Sequence, residues 1–307
     1  MKIYADELPK SCENCPFCEY FDKDAHGKGR HEVACFLAGT CENILFGNKI
    51  SPKNCPLESI ADHDKKVRAE VVQEKQMKYI ASVSFGKDSL AMLLRLIEEN
   101  KPLDEVVFYD TGMEFQSIYN IRDKIKILLE EKGIKFVELK PKCDFCYQMF
   151  EKLVKKGKPN EHKGYSWCGG RCRWGTTEKL KAIEKYCKDC YEYVGIAIDE
   201  PKRLEKERKG NKLFPLAEWG MTEKDCLDYC YKMGYNWIED GIELYSILDR
   251  VSCWCCANKN LKELENYYLY LPTYWQKLKQ LQSKTDRPFK YNKYTIFDLE
   301  QKFKKKS

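Results

Sequence analysis

The sequence predicts an α/β fold: a doubly wound parallel sheet, with a small cysteine-rich module before it and a helical C-terminal region after it. Between residues 78 and 139, short apolar runs alternate with amphipathic stretches of helix length, the pattern of βαβ units. The run at residues 105–109 is the most apolar of them, which is typical of a strand in a buried parallel sheet. Six of the 17 cysteines fall in the first 60 residues, where apolar periodicity is weak. We therefore expect three regions, at residues 1–60, 61–250 and 251–307.

The middle region contains the elements of the expected sheet. Strands are expected over residues 78–83, 105–109, 135–139 and 191–197. Helices are expected over residues 88–99, 118–132, 177–186 and 222–233. Leu90, Leu93 and Leu94 share one face of the first helix, and Thr222 suits the N-cap of the fourth.

The segments outside these elements are more polar or less regular. Residues 61–76 are expected to form a polar helical connector, residues 141–176 an irregular segment and residues 201–212 a charged loop. A helix rich in Tyr and Leu is expected over residues 261–282. The lysine-rich stretch 302–306 is expected to be a solvated tail.

Charge and hydropathy narrow the possible partners. The net charge of +6 fits an anionic ligand such as a nucleotide but is too small to establish nucleic-acid binding. No apolar run approaches the roughly 20 residues that a membrane-spanning helix needs, and no signal-peptide pattern is visible at the start of the sequence. We therefore expect a cytoplasmic protein without a membrane partner.

The cysteines of the first region have the spacing of metal ligands. An odd number of cysteines in a long chain fits a secreted disulfide scaffold poorly. A short segment with little core needs another means of stabilisation, and zinc is the expected one, an iron–sulfur cluster the second. A thiol cluster without metal is the third interpretation. The candidate ligands are Cys12, Cys15, Cys18, Cys35, Cys41 and Cys55.

The turn after the first expected strand has the composition of an anion site. It reads Ser84, Phe85, Gly86, Lys87, Asp88 and Ser89. A helix begins within this turn, so its free N–H groups and its dipole favour a phosphate. Gly86 permits a tight turn, Lys87 adds a cation, and Asp88 can cap the helix or hold Mg²⁺. The Walker A and Gly-x-Gly-x-x-Gly patterns do not fit this turn, and an ordinary strand-to-helix turn is the alternative.

This turn resembles the PP-loop of the ATP pyrophosphatases and, more narrowly, that of the phosphoadenosine phosphosulfate reductase family. Three further blocks follow in that family's order: residues 109–115 resemble its Asp-Thr-Gly-x-x-Phe segment, residues 195–203 its Gly-Ile-Arg-x-Asp-Glu-Ser-x-Arg-Arg loop, and residues 214–219 its Pro-Leu-x-x-Trp stretch. Together the blocks span residues 78–235. The resemblance implies a Rossmann-like sheet of the adenine nucleotide alpha-hydrolase type, which binds ATP with Mg²⁺ or a related adenine nucleotide.

The resemblance also implies which residues form the site. The implied nucleotide-binding residues are Ser84, Phe85, Gly86, Lys87, Asp88, Ser89, Asp110, Thr111, Gly112, Arg173, Lys179, Gly195, Asp199 and Arg203. Catalytic roles are implied for Lys87, Asp88 and Asp110. Two departures occur in the third block, where Ala197 replaces the usual Arg and Pro201 the usual Ser. Arg203 is the expected substitute for the missing basic contact.

A second group of cysteines lies in and after the sheet region. Cys168, Cys172, Cys253 and Cys256 are expected to form a four-thiolate site for a [4Fe–4S] cluster or Zn²⁺, because both accept four cysteines. A small apolar turn around Trp254 is the alternative for the last two. Cys143 and Cys146 are weaker candidates, for which a redox or sulfur-carrying pair is also considered.

Two surface interpretations remain open. The basic residues within 201–212 either close over phosphates or form a solvated loop, and the aromatic residues of 267–275 either stack bases or pack in the core. Nucleic acid is therefore a possible partner that the sequence does not establish.

The resemblance favours ATP cleavage between the α and β phosphates, which adenylates an acceptor that can then receive sulfur. The Glu-Cys-Gly-x-His motif of the family's thiol reductases does not occur in the sequence, whereas the PP-loop is intact. The alternatives are a sulfonucleotide reductase with a relocated cysteine and a metal-stapled module that binds a nucleotide or nucleic acid without turnover. The implied protein partners are a sulfur donor or a thioredoxin-like reductant.

Overall fold

The computed structural model describes five strands of the first 76 residues as backbone, and residues 77–165, 167, 172–207 and 210–305 with their side chains. The chain divides into two compact units, Met1–Gln76 and Met77–Ser307. The expected connector at 61–76 lies outside the described residues, as do Cys12, Cys15, Cys55 and Cys168.

The first unit contains five short strands. They are β1 (Ile3–Ala5), β2 (Cys18–Asp22), β3 (His31–Cys35), β4 (Thr40–Ile44) and β5 (Leu57–Ser59). Strands β2, β3 and β4 form an antiparallel sheet in that order, and β1 pairs with β5 in parallel. The register places Cys18 opposite Cys35, and Cys41 opposite Ala34. Three of the six candidate ligands thus lie near one end of this sheet.

The second unit is built on a five-stranded sheet. Its strands and those of two small hairpins are β6 (Lys78–Val83), β7 (Glu105–Tyr109), β8 (Lys135–Leu139), β9 (Leu153–Val154), β10 (His162–Lys163), β11 (Cys190–Val194), β12 (Lys212–Leu213), β13 (Ile238–Glu239) and β14 (Ile242–Glu243). The sheet order is β12-β11-β6-β7-β8, and all neighbours are parallel. The expected α/β fold with a parallel sheet is confirmed.

Nine α-helices lie in the described part of the second unit. They are α1 (Lys87–Glu98), α2 (Gln116–Glu131), α3 (Lys179–Tyr186), α4 (Pro201–Glu207), α5 (Pro215–Glu218), α6 (Glu223–Lys232), α7 (Leu261–Tyr270), α8 (Pro272–Gln282) and α9 (Ile296–Lys304). Thr222 caps α6 in a capping box with Asp225, as the sequence predicts for this N-terminus. No helix among the described residues has both the length and the apolar character needed to cross a membrane.

The sheet is covered on both faces because successive side chains of its strands point in opposite directions. Val106 and Phe108 of β7 face the main core together with the apolar sides of α1 and α2, whereas Val107 and Tyr109 pack with Ile183 of α3 on the other face. Helices α7, α8 and α9 also pack into the main core, so the expected helical C-terminal region belongs to the same compact unit as the sheet.

The strand order creates a switch point beside β6. The chain passes from β6 to β7 and β8 on one side and then returns to place β11 on the other side of β6. In open α/β sheets, the crevice at the carboxyl ends of two such strands is where ligands bind. The turns that follow β6 and β11 therefore define the candidate site.

Several local expectations are wrong. Residues 201–207 form α4 rather than a charged loop, because Leu204 is buried beside Ile196 and Phe214; Arg208 and Lys209 of that expected loop lie outside the described residues. The expected helix 261–282 is two helices, since Pro272 lacks the N–H that would continue α7.

The other differences concern the ends of elements. The lysine-rich end is largely helical, and Phe303 is buried against Trp275 and Tyr268. The strand expected to reach residue 197 ends at Val194. The expected third helix begins with a π-helical turn, Arg173–Glu178, before α3, and the segment 141–176 also contains the β9–β10 hairpin.

Candidate nucleotide-binding site

The turn after β6 is held by a buried aromatic residue in an uncommon conformation. Phe85 is fully buried, with ring centroids 5.0 Å from Phe108 and 6.3 Å from Phe136. Its φ of 57° lies in the left-handed region, where a bulky residue is strained. Gly86, which the sequence suggested for the tight turn, has an ordinary φ of −73° and is the N-cap of α1. The strain of the turn is therefore stored at Phe85, which the core anchors.

Two residues that sequence reasoning missed hold the backbone of this turn in place by hydrogen bonds. The indole N–H of Trp237 donates to the carbonyl oxygen of Phe85 at 2.9 Å. The backbone N–H of Lys87 donates to the hydroxyl of Tyr245 at 2.8 Å, and the rings of Tyr245 and Trp237 pack edge to face. Both residues follow the last family-like block, so no motif marked them. Their contacts pre-organise the turn without a ligand.

The turn is also in close contact with the end of β11. Ser84 and Ser89 bring their hydroxyl oxygens within 3.1 Å of each other across the turn. A Cβ added to Gly195 would lie 2.8 Å from Ser89 Cα and 3.1 Å from the carbonyl carbon of Asp88. Only glycine leaves room for this approach. Gly195 thus sets the distance between the two strand ends that form the crevice.

Lys87 is held in the site by two carboxylates. Its ammonium lies 2.9 Å from Asp88 Oδ1 and also contacts Glu223 at the start of α6. Burial alone would lower the pKa of Lys87, but the hydrogen bond that its ammonium donates to Glu223 and the charge of Asp88 outweigh it, so its pKa is raised. Burial raises the pKa of Asp88, against the opposing effect of Lys87. The ammonium has three donors, two of which these carboxylates use.

A pocket of about 360 Å³ opens in front of the turn, a size that suits a small-molecule ligand. Cations from three elements line it: Lys179 of α3, Arg203 of α4 and Arg250 of the segment after β14. Glu200 forms ion pairs with both arginines, at 2.9 Å to Arg203 and 3.0 Å to Arg250. The pocket therefore combines cationic side chains with a carboxylate that positions the two arginines.

The structure brings part of the implied site together. The implied residues in the pocket wall are Ser84, Gly86, Lys87, Asp88, Ser89, Lys179, Gly195 and Arg203. Additional wall residues that sequence reasoning did not include in the nucleotide site are Glu114, Gly175, Tyr245, Asp249, Arg250, Val251, Ser252 and Cys253. Phe85 lies beneath the wall, in the core.

The other implied residues do not line the nucleotide pocket, and their contacts are with other parts of the protein. The carboxylate of Asp110 accepts hydrogen bonds from the Tyr119 hydroxyl and the Gly112 backbone N–H, both at 2.8 Å. Asp199 accepts from the backbone N–H of Glu223, at the N-terminus of α6. Arg173 is exposed, with its guanidinium 4.3 Å from the ring centre of Tyr165.

A turn that contains Cys253 and Cys256 forms the far side of the pocket. The backbone N–H of Trp254 donates to the Met113 carbonyl at 3.0 Å, and Thr111 Oγ1 lies 3.4 Å from Cys253 Sγ. The segment after β7 and the cysteine turn are therefore joined directly. A Cβ on Gly175 would lie 3.5 Å from Cys253 Sγ and 3.9 Å from Cys172 Sγ, so two candidate ligands approach the same point.

In this turn Cys255 is buried, whereas Cys253 and Cys256 are half-buried. Burial raises the pKa of Cys253 and of Cys255 well above the usual range, and the nearby Glu114 raises both further. A buried cation, Lys259, lies beside the turn, and its burial lowers its own pKa. Among the residues that the structure describes, no group of three or more His, Cys, Asp or Glu side chains is arranged to hold a metal ion.

The remaining cysteines do not line the nucleotide pocket. Cys187, Cys226 and Cys230 are buried, as the packing of small apolar thiols predicts, and burial raises the pKa of Cys226 to about 12. Cys143 and Cys146 are half-buried. Tyr267, Tyr274 and Trp275 are core residues, so the base-stacking interpretation is wrong for these three, whereas Tyr270 is exposed.

Comparison with known proteins identifies the family of the sheet region. The family model of the phosphoadenosine phosphosulfate reductase domain matches residues 78–239, which is more than half of the chain. The chain belongs to this family. The matched range begins at β6 and ends at β13, so it covers the whole parallel sheet.

Individual relatives are distant. The chain is 26% identical over 214 residues to an uncharacterized protein of Methanocaldococcus jannaschii, a match that covers 64% of this chain and 40% of that protein. It is 26% identical over 172 residues to adenosine 5′-phosphosulfate reductase of Staphylococcus haemolyticus (52% of this chain, 65% of the reductase) and 28% identical over 170 residues to that of a Geobacillus species (52% and 67%). The matched part of this chain thus spans between 40% and 67% of the length of these relatives.

A solved structure of low similarity is the U34-tRNA thiolase from Methanococcus maripaludis with its [4Fe–4S] cluster. It is 16% identical, with a TM-score of 0.34 over 80% of this chain and 78% of that one.

Proposed function

We propose that this member of the phosphoadenosine phosphosulfate reductase family binds ATP with Mg²⁺ and cleaves it between the α and β phosphates. An acceptor oxygen attacks the α phosphorus, the bond from that phosphorus to the bridging oxygen breaks, and pyrophosphate leaves with the electron pair. The products are an adenylated acceptor and pyrophosphate. The adenylated acceptor is then a substrate for a sulfur donor, which displaces AMP.

The pocket at the switch point carries this proposal. Pyrophosphate is a polyanion, and the cations that line the pocket, with Lys87 in the turn, provide fixed positive charge where that anion would lie. Asp88 faces the pocket beside Lys87 and is the residue that we assign to Mg²⁺. Arg203 and Arg250, held by Glu200, would exchange that carboxylate for phosphate oxygens when the nucleotide binds.

Pyrophosphate release from ATP and Mg²⁺ by anaerobically purified protein tests the proposal. We expect Asp88→Ala and Lys87→Ala to lower the rate by roughly 10² to 10³-fold, as loss of one preorganised electrostatic contact does. Asp189→Ala is the matched control, because Asp189 is an exposed acidic residue that does not line the pocket. Equal rates in wild type and Asp88→Ala, with candidate acceptors present, would refute the proposal.

Sulfonucleotide reduction is the second candidate, because two of the relatives are adenosine 5′-phosphosulfate reductases and Cys253 lines the nucleotide pocket. In that reaction a thiolate attacks the sulfur of the sulfonucleotide and AMP leaves; a second thiol, from a thioredoxin-like reductant, then releases sulfite and forms a disulfide. The raised pKa values of Cys253 and Cys255 fit this attack poorly, because the thiolate is the nucleophile and a raised pKa keeps the thiol protonated. Sulfite formation from adenylyl sulfate, lost in Cys253→Ser, would favour it.

We also propose that Cys172, Cys253 and Cys256, with Cys168, hold a [4Fe–4S] cluster or Zn²⁺. The sulfur donor set suits both groups, and the approach of two thiols to Gly175 leaves a space that a larger residue would fill. When bound, an iron–sulfur cluster can supply an iron position for sulfur, whereas zinc would stabilise the turn. The cysteines of the first unit are proposed as a second, zinc-binding site, which loss of bound zinc in Cys18→Ser and Cys35→Ser would support.

A further inference from the structure

A separate pocket of about 570 Å³ lies next to the cysteine turn and shares no residue with the nucleotide pocket. Tyr165 and Trp167 form one part of its wall, and residues 287–292 form another. Ala257 and Asn258, which directly follow Cys256, close it. The described residues that line this pocket include four aromatic and two basic side chains and no acidic one.

The aromatic side chains of the pocket are buried at its floor and exposed at its rim. Trp167 is buried, packs edge to face on Phe289 at 4.7 Å, and donates its indole N–H to the Arg287 carbonyl at 3.1 Å. Tyr291, at the rim, is 65% exposed, the largest exposure of any large hydrophobic residue in the described part of the chain. Its ring is therefore accessible to a planar ligand.

The backbone is strained at Tyr291, the exposed residue at the rim of the pocket. The backbone N–H of Lys293 donates to the Lys290 carbonyl at 3.0 Å, which closes a tight turn with Tyr291 and Asn292 at its centre, and the N–H of Lys290 donates to the Tyr294 carbonyl at 2.9 Å at the base of this turn. Both central residues have left-handed φ values, 56° and 51°. Asn tolerates this region, whereas Tyr does not. An exposed, strained Tyr adds little to the core, and such outliers point to function.

The pocket also carries positive charge that no described carboxylate neutralises by an ion pair. The guanidinium of Arg287 donates to the backbone carbonyls of Lys163 and Gly164 at 3.1 and 3.2 Å. The ammonium of Lys290 donates to the carbonyls of Ala257 and Lys259 at 2.7 and 2.5 Å. Asp286 is exposed nearby but does not line the pocket. Lys290 is buried, whereas Arg287 is half-buried. An accessible aromatic face such as that of Tyr291 beside a positively charged side chain is a combination that binds single-stranded nucleic acid.

The two pockets are linked through the cysteine turn. Asn258 lines both the aromatic pocket and a cleft of about 290 Å³ that contains Cys256. Asp249, Arg250 and Ser252 line both that cleft and the nucleotide pocket. One continuous stretch of chain, residues 249–258, therefore runs from the nucleotide site past the cysteines to the aromatic pocket.

We propose that the aromatic pocket binds a nucleobase and phosphate of a single-stranded nucleic acid, with the base stacked on Tyr291 and the phosphate near Arg287. Resting on the proposed function, this identifies the acceptor as a nucleic acid, whose strand would extend along residues 249–258 towards the nucleotide site. Binding itself does not depend on turnover, so the two proposals are tested separately.

The test is fluorescence anisotropy of fluorescein-labelled 12-nucleotide single strands, RNA and DNA, titrated with protein in the absence of ATP. Tyr291→Asn keeps a residue that fits the left-handed turn, so we expect unchanged or higher thermal stability. Loss of one stacked base should weaken binding by roughly 5- to 150-fold. Tyr270→Ala is the matched control, because Tyr270 is also an exposed tyrosine but does not line the pocket. Binding by wild type should weaken as salt rises.

Two outcomes would overturn the inference. One is equal affinity of wild type and Tyr291→Asn for both strands, or no binding by either protein. The other is displacement of the strand by AMP or UMP at concentrations near the strand's own Kd, which would assign the pocket to a free mononucleotide. Pyrophosphate release by wild type decides the proposed function independently, since strand binding is measured without ATP.

Discussion

Gly195→Ala tests whether the contact between the two strand ends sets the geometry of the nucleotide site. The added Cβ would lie 2.8 Å from Ser89 Cα, where an ordinary contact begins near 3.4 Å, so the turn must move by about 0.6 Å or more. The atoms that it meets belong to the backbone of α1, which cannot rotate away. A misplacement of about 1 Å at reacting groups can cost roughly 10²-fold in rate, and overpacking costs about 1–3 kcal/mol in stability.

The assay measures ATP-dependent pyrophosphate release and the free energy of unfolding in urea on the same samples. We expect Gly195→Ala to lower kcat/KM by roughly 10²-fold. Gly220→Ala is the control: its φ of 68° makes alanine strained, yet a Cβ there meets no atom within 4 Å. It should lose about 1 kcal/mol of stability and keep its activity. Wild-type activity in Gly195→Ala would refute the role assigned to this contact.

Three further predictions follow from other contacts. Tyr245→Phe removes the acceptor for the Lys87 backbone N–H and should lower the free energy of unfolding by about 1–3 kcal/mol in urea, whereas Tyr270→Phe should not. Burial alone would raise the pKa of Glu105, but hydrogen bonds from Lys78, Tyr186 and Lys135 lower it to about 2. Because this value lies below the ordinary 4.5, the carboxylate stabilises the fold above that pH, and the contribution is lost as the pH falls towards 2. Between pH 5 and 3, roughly the range of that loss, stability should therefore decline more steeply in wild type than in Glu105→Gln; parallel curves would contradict this. Iron, zinc and sulfide analysis of anaerobically purified protein should show metal lost in Cys172→Ser and Cys253→Ser and retained in Cys187→Ser; unchanged content in the first two would exclude them as ligands.

The sheet could be predicted from the sequence because its signals are local. The first three strands of the large sheet in chain order, β6, β7 and β8, match their expected bounds, since short runs rich in apolar residues are bounded by polar turns. The capping box at Thr222 and the start of α1 within the PP-loop follow from short-range chemistry in the same way. The family resemblance rested on these elements, and the match of residues 78–239 confirms it.

The rest of the site depends on contacts between distant parts of the chain. Tyr245 lies 158 residues after Lys87, and its contact with the turn requires the fold of the whole second unit. Arg250 and Glu200 meet only because the segment after β14 returns to the end of β11. The sequence predicts Gly86 as the residue that permits the tight turn, whereas the left-handed φ occurs at Phe85, because composition shows which residue tolerates such a φ but not which one the core forces into it.

The positions of the aromatic residues also depend on contacts that the local sequence does not show. Tyr267 and Trp275 had the spacing of either a core helix or a stacking surface, and only packing against α9 and the main core decides for burial. Tyr291 carried no motif, and its exposure depends on a turn closed by Lys290 and Lys293.

The most direct measurement of the central claim is the identity of the products formed from ATP. Nucleotides and phosphates are separated by ion-exchange chromatography after incubation of the protein with ATP, Mg²⁺ and single-stranded RNA or DNA, beside Lys87→Ala. The account predicts AMP or an AMP-linked acceptor together with pyrophosphate, in wild type and not in the variant. Formation of ADP and inorganic phosphate that depends on Lys87 would contradict it, because it would place the cleaved bond between the β and γ phosphates.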